Sequence, residues 1–166
     1  RIRSCMSNAG SIARGVWRGL VEAVYPPRCG LCGLAGPLAI CANCRSDFQP
    51  IGAPLELDRA LVARVSVVHA YRGRAGQAVR RLKYERAIPL SDPMAREIAE
   101  RAENLLFDAA VPVPIHWTRW CQRGFNQSEL LCAGFDRTRV RLDLIRRRRR
   151  TRPQVGLSEQ DRLTNL

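Results

Sequence analysis

Apolar positions along the chain recur at helical spacing in several places and alternate in one. Ile12, Val16, Leu20 and Val24, with Trp17 and Val21 beside them, predict a short amphipathic helix. It packs on the body of the protein or serves a membrane surface or partner. Residues 50–58, with Pro50, Gly52 and Pro54, break the periodicity and read as a linker. From Leu61 to Ala70 apolar and mixed positions alternate, predicting a strand that includes His69 and ends at Tyr71-Arg72-Gly73. Ala75 to Tyr84 reads as a helix with Val79 and Leu82 inward and Arg74, Arg80, Arg81 and Lys83 outward. A second helix starts at Ser91 as cap with Pro93 in its first turn, and Ile98, Ala102 and Leu105 continue its apolar face. Ala109 to Val113 suits a short strand that Pro112 and Pro114 confine to an edge or an end. A loop then leads to a helix beginning near Asn126. This alternation predicts an α/β domain whose ligand sits at the carboxyl end of a strand.

Composition narrows the class. A 46% hydrophobic content over 166 residues is that of a folded protein, with room for one ordinary domain or a small module plus most of a second. The formal net charge of +13 calls for a polyanionic partner, whether nucleic acid, a phosphorylated ligand or an anionic membrane surface. Of the 28 basic residues, 27 are arginine, so Lys83 stands out either as a required ammonium or as a solvated surface group. No run of apolar residues is long enough for a membrane span, because Arg14, Arg18 and Glu22 interrupt residues 12–25. The expected location is the cytoplasm, where seven cysteines do not form a disulfide framework.

Cys29-x-x-Cys32 and Cys41-x-x-Cys44 place four thiols within sixteen residues. Two such knuckles close a tetrahedral site, and zinc held by four sulfurs has no open position for water, which makes it structural. The eight residues between the pairs carry a Gly36-Pro37 turn and room for one tiny hairpin. A thioredoxin-like redox pair and a rubredoxin-like iron site are the alternatives. Cys5, Cys121 and Cys132 lack partners at ligand spacing and read as buried or incidental thiols, with Cys121 set beside Arg119 and Arg123.

The stretch from Val111 to Gln127 holds the other candidate chemistry. Guanidinium groups form bidentate bonds to phosphoryl oxygens, a glycine lets the backbone come close, and the free N–H groups of a helix start add positive potential. Phosphate or pyrophosphate fits that combination. Downstream, Arg146 to Arg150 form a run that is either a polyanion contact or an ordinary solvated segment.

Four separated blocks in one order carry a family resemblance. Tyr25-Pro26-Pro27-Arg28-Cys29-Gly30-Leu31-Cys32-Gly33, Tyr71-Arg72-Gly73 through Leu82-Lys83-Tyr84, the Val111–Gln127 stretch, and Thr151, Gln154, Gly156, Leu157, Arg162 and Asn165 together resemble the ComF family. These are competence-associated proteins that join a zinc-binding module to a type I phosphoribosyltransferase-like domain. The resemblance covers roughly residues 20 to 166. It implies an N-terminal helix (1–25), a zinc-ribbon-like module (26–50) and a partial, Rossmann-like, parallel-sheet phosphoribosyltransferase-type domain (51–166).

It also implies site roles. Arg119 and Arg123 contact pyrophosphate, Gly124 admits the backbone, and Asn126 and Gln127 orient the ligand. Thr151, Gln154, Leu157 and Asn165 belong to a mobile lid, with Arg162 as a second phosphate contact. Phe125 packs; His116 is a proton donor, a stacking group or a plain turn histidine; Trp117 and Trp120 stack on a ring or cover the loop. The intact protein would use Mg2+ and phosphoribosyl pyrophosphate with an unknown acceptor, or act in DNA uptake with single-stranded DNA and DNA-processing or uptake proteins. The chain reads as C-terminally truncated at Leu166. It has no two adjacent acidic residues and no Thr/Gly-rich loop after the lid, the parts with which such a domain binds the donor's ribose and 5-phosphate. The 166-residue chain is therefore expected to have no transferase activity.

Overall fold

The computed structural model describes residues 24–52, 55–59, 62–149, 151, 156, 158 and 160–161. Most of the helix anticipated at 12–25, together with Gln154, Leu157, Arg162 and Asn165, lies outside these residues. The chain divides into two units, Arg1–Val79 and Arg80–Leu166.

The first unit is built around the cysteines. Arg28 and Ala35 form an antiparallel bridge, the Cys29 N–H donates to the Leu34 carbonyl at 2.8 Å, and Gly33 turns the knuckle with φ +76°. The small hairpin therefore wraps the first cysteine pair rather than occupying the stretch between the pairs, because the glycine turn within the knuckle lets the chain reverse there. Gly30 N donates to the Ala39 carbonyl at 2.8 Å, which brings the second pair alongside. Helix α1 (Ala42–Ser46) starts from an extended Cys41, so one helical turn separates Cys41 from Cys44. Cys29, Leu31, Ile40, Cys44 and Phe48 are buried in this module.

The segment expected to be a linker is one arm of a hairpin. Strand β1 (Leu55–Arg59) pairs antiparallel with β2 (Val62–Val65), with an irregularity between Glu56 and Arg59. Nearer the ribbon, Pro50 bridges His69, Ile51 N donates to the Val68 carbonyl at 3.1 Å and Ala70 N to the Gln49 carbonyl at 2.8 Å. Phe48 and His69 meet edge to face at 5.1 Å at the base of the arm. The expected strand from Leu61 to Ala70 is thus the return arm, with its regular part confined to β2.

Helix α2 (Gly73–Tyr84) buries Ala75, Ala78 and Leu82, while Val79 is half-buried. In the second unit a 3-10 turn (Ile88–Leu90) runs directly into α3 (Ser91–Ala102). Ser91 is not the cap of that helix. It is the first helical residue, and its hydroxyl donates to the Ile88 carbonyl at 2.7 Å because the 3-10 turn places that acceptor beside it.

Two short helices follow, α4 (Trp117–Arg123) and α5 (Gln127–Cys132). Helix α5 packs on α3, and Gly134 just beyond it lies against Ala95 and Ala99. Ala110 and Val140 form a parallel bridge, with Ala110 N donating to the Arg139 carbonyl at 2.9 Å and Arg141 N to the Ala110 carbonyl at 3.0 Å. Helices α4 and α5 lie between the bridged segments in sequence, which is the order of a β-α-β crossover. Among the described residues the one regular sheet is the antiparallel β1–β2 pair, and parallel pairing is represented by this bridge.

Candidate metal centre and arginine loop

The four knuckle sulfurs lie within 4.8 Å of one another, and Cys32 Sγ is 3.6 Å from Cys41 Sγ. A tetrahedral zinc with sulfurs at about 2.3 Å requires sulfur–sulfur separations of about 3.8 Å, so the quartet fits a closed four-sulfur zinc site. Backbone N–H groups of Leu31 and Cys41 point at Cys29 Sγ at 3.5 and 3.4 Å. Burial works to raise the Cys29 pKa, but N–H groups of Cys41, Cys32 and Leu31 and the Cys32 thiol bring it down to about 6. Cys44 is pushed up to about 12 by burial, then by its contacts with the Cys32, Cys41 and Cys29 thiols and the charge on Cys29. A divalent cation held by Cys29, Cys32, Cys41 and Cys44 would supply the charge that keeps all four sulfurs deprotonated.

The second candidate site is organised by caps. His116 is buried and begins α4, its Nδ1 accepting from Thr118 N at 3.3 Å and lying 2.9 Å from Thr118 Oγ1. Helix α4 ends at Gly124, whose φ is +83° and whose N–H donates to the Trp120 carbonyl. A Cβ at Gly124 would meet nothing within 4 Å. Glycine is needed there for the left-handed helix end. A helix thus occupies part of the stretch anticipated as a continuous loop, stabilised by its two ends since none of its residues is buried.

The helix expected to begin near Asn126 is α5, and Asn126 is its cap, with Oδ1 accepting from Ser128 N at 3.0 Å. Its Nδ2 donates to the Val113 carbonyl at 3.2 Å and to Glu129 Oε1 at 3.0 Å, and the residue is 3% exposed. The side chain is thereby committed to joining the 110–113 segment to the helix.

Arg119 donates through Nη2 to the Thr151 carbonyl at 3.1 Å, and Arg147 donates to the Thr151 hydroxyl. The structure thus brings a loop arginine to the start of the anticipated lid. Arg123 donates to Gln127 Oε1 at 2.9 Å and stacks over the Tyr84 ring at 5.3 Å. Phe125 is half-buried, while Trp117 and Trp120 are 69% and 53% exposed. Neither the contact of Arg147 with Thr151 nor that of Arg123 over Tyr84 has a local signature in the sequence. The only hint was Tyr84's place in one of the resemblance blocks.

With the cysteines converged, the N-terminal module is a zinc ribbon: residues 20–55 match the family described as double zinc ribbon domain. Only four cysteines fall in that span, and all four belong to one site. Over nearly its whole length the chain is also distantly similar to Competence protein F of Haemophilus influenzae (strain ATCC 51907 / DSM 11121 / KW20 / Rd). The two are 26% identical over 178 residues, covering 98% of this chain and 72% of that protein. No solved structure matches significantly.

Proposed function

We propose that this chain is a ComF-like, competence-associated protein in which a structural zinc ribbon accompanies a domain that binds phosphate or pyrophosphate. The observation that carries the reading is the similarity to Competence protein F along 98% of the chain. Arg119 and Arg123 on one short helix are the proposed phosphoryl contacts, with Gln127 beside Arg123 and Thr151 beside Arg119. Arg162 would add a second phosphate contact, and Gln154, Leu157 and Asn165 would complete the lid. Single-stranded DNA, DNA-processing or uptake proteins and a phosphorylated small molecule are the proposed partners, and the cytoplasm the proposed location. No helix among the described residues is long and apolar enough to cross a membrane.

The test has two arms. Titration of pyrophosphate into the zinc-loaded 166-residue chain is expected to show binding that the double variant R119A/R123A weakens at least about 10-fold, as loss of charge-assisted bonds requires. Deletion of the gene in a naturally transformable host is expected to lower the frequency of transformation. Equal pyrophosphate affinity in parent and variant would remove the loop from the reading, and unchanged transformation would remove the competence role.

A second reading, a phosphoribosyltransferase-type enzyme, draws on the parallel bridge between Ala110 and Val140 with two helices between them in sequence. Magnesium with phosphoribosyl pyrophosphate would belong to that reading. Among the described residues the group able to hold a metal is the cysteine quartet, and no carboxylate cluster accompanies the arginine loop, so the residues present do not fit magnesium.

A further inference from the structure

The zinc site has a neighbour that is not a ligand and that reaches it from 30 residues beyond the last cysteine. Arg74, in the first turn of α2, donates through Nη1 to the Leu31 carbonyl at 3.4 Å. Leu31 lies between Cys29 and Cys32, and its own N–H points at Cys29 Sγ at 3.5 Å. The same guanidinium pairs through Nε with Asp47 Oδ2 at 3.6 Å, and Asp47 ends α1, the helix that carries Cys44. One side chain therefore touches the backbone of the first knuckle and the end of the second. Gln77, one helical turn on, accepts from Arg74 Nη1 at 3.3 Å and holds the guanidinium in that orientation.

We propose that Arg74 is a positioning residue for the metal centre, an outer clasp that holds the two knuckles together and slows the escape of the ion. A metal site made of two independent knuckles opens when one swings away from the other. A guanidinium hydrogen-bonded to the Leu31 carbonyl and ion-paired with Asp47 opposes that motion, and its fixed planar geometry does so better than the compact ammonium of a lysine. Such outer partners commonly change metal affinity by 10- to 100-fold when removed. The clasp faces an open polar cavity of about 560 Å³ lined by Ser46, Asp47, Gln49, Gly73, Arg74 and Gln77, so dissolved salt reaches it. Side-chain exposures of 37% for Arg74 and 60% for Asp47 make the ion pair sensitive to screening.

The experiment uses the whole 166-residue chain loaded with one zinc or one cobalt(II), and compares the parent with R74A, R74K and D47N. Zinc release into excess chelator is expected to be about 10-fold faster in R74A, with R74K and D47N between R74A and the parent. Added salt is expected to speed release from the parent and leave R74A unchanged. The cobalt d–d bands of R74A are expected to shift as the first knuckle relaxes. Should R74A fail to fold, R74K and D47N give the same comparison. Release from R74A and D47N within about twofold of the parent would overturn the proposal. So would faster release in R74A with no recovery in R74K, no salt response and an unshifted cobalt spectrum, which is the pattern of general destabilisation.

Discussion

Gly134 lies so close to Ala95 that a Cβ built on it would stand 2.2 Å from the Ala95 carbonyl oxygen and 2.7 Å from its carbonyl carbon. Gly134 is not among the residues with positive φ, so it is the approach of its chain to α3 that demands glycine there. Both obstructing atoms are backbone of a regular helix whose Ala95 side chain is 1% exposed, and neither can swing away. Gly134→Ala is expected to push α5 off α3 and to cost about 1–3 kcal/mol of unfolding free energy. Urea denaturation of parent and variant checks this; an unchanged midpoint would mean the two helices do not meet as described.

Gly124 gives the opposite case. Open space surrounds its missing side chain, and its φ of +83° by itself calls for glycine. Gly124→Ala is expected to cost about 1–2 kcal/mol through left-handed strain, and Gly124→Asn distinctly less. At Gly134, asparagine is expected to be worse than alanine. The order of the two substitutions at each position, measured by thermal unfolding, separates strain from crowding.

Asn126→Ala removes the α5 cap and, from a buried position, the donor to the Val113 carbonyl. The expected loss is about 1–3 kcal/mol. Asn126→Asp keeps the acceptor for Ser128 N but loses the donor to Val113 and sets a second carboxylate beside Glu129, so it is expected to recover only part of that loss. Recovery by aspartate to the level of the parent would show that the cap alone matters.

Metal removal addresses the ribbon. Among the described residues the ribbon buries Cys29, Leu31, Ile40, Cys44 and Phe48, so binding energy on the order of 10 kcal/mol from the ion is expected to keep it folded. Cys44→Ser is expected to abolish stoichiometric zinc, while Cys121→Ser and Cys132→Ser retain one zinc per chain. After chelation, amides that close the knuckles, such as Cys29 and Gly30, are expected to lose protection from hydrogen exchange. Retention of that protection without metal would contradict the assignment of the ion as structural.

The elements legible in the sequence were those fixed by local chemistry. Two cysteine pairs at knuckle spacing announced the metal site, and a helix start near Asn126 was legible too, because both signals act over three or four residues. Misreadings arose where neighbouring elements decided the outcome. Pro50, Gly52 and Pro54 look like a linker, yet the return arm through His69 pairs with Pro50 and supplies backbone partners to Gln49 and Ile51. Trp117–Arg123 buries no side chain and so offers no apolar stripe to detect; its two end caps create it. Ser91 has the composition of a cap, but a 3-10 turn immediately before it takes its hydroxyl. The strand expected at Ala109–Val113 depends on Val140 for its one described bridge, a partner that no window of local sequence contains.

The compactness of the cysteine quartet also sets an order of events during synthesis. All four ligands fall within sixteen residues, so the full set exists as soon as Cys44 has left the ribosome. Ala110, by contrast, must wait for thirty further residues before Val140 can pair with it. Closing the shorter loop costs less chain entropy, and the ion rewards it at once. Zinc binding by the ribbon is therefore expected to precede the pairing of Ala110 with Val140.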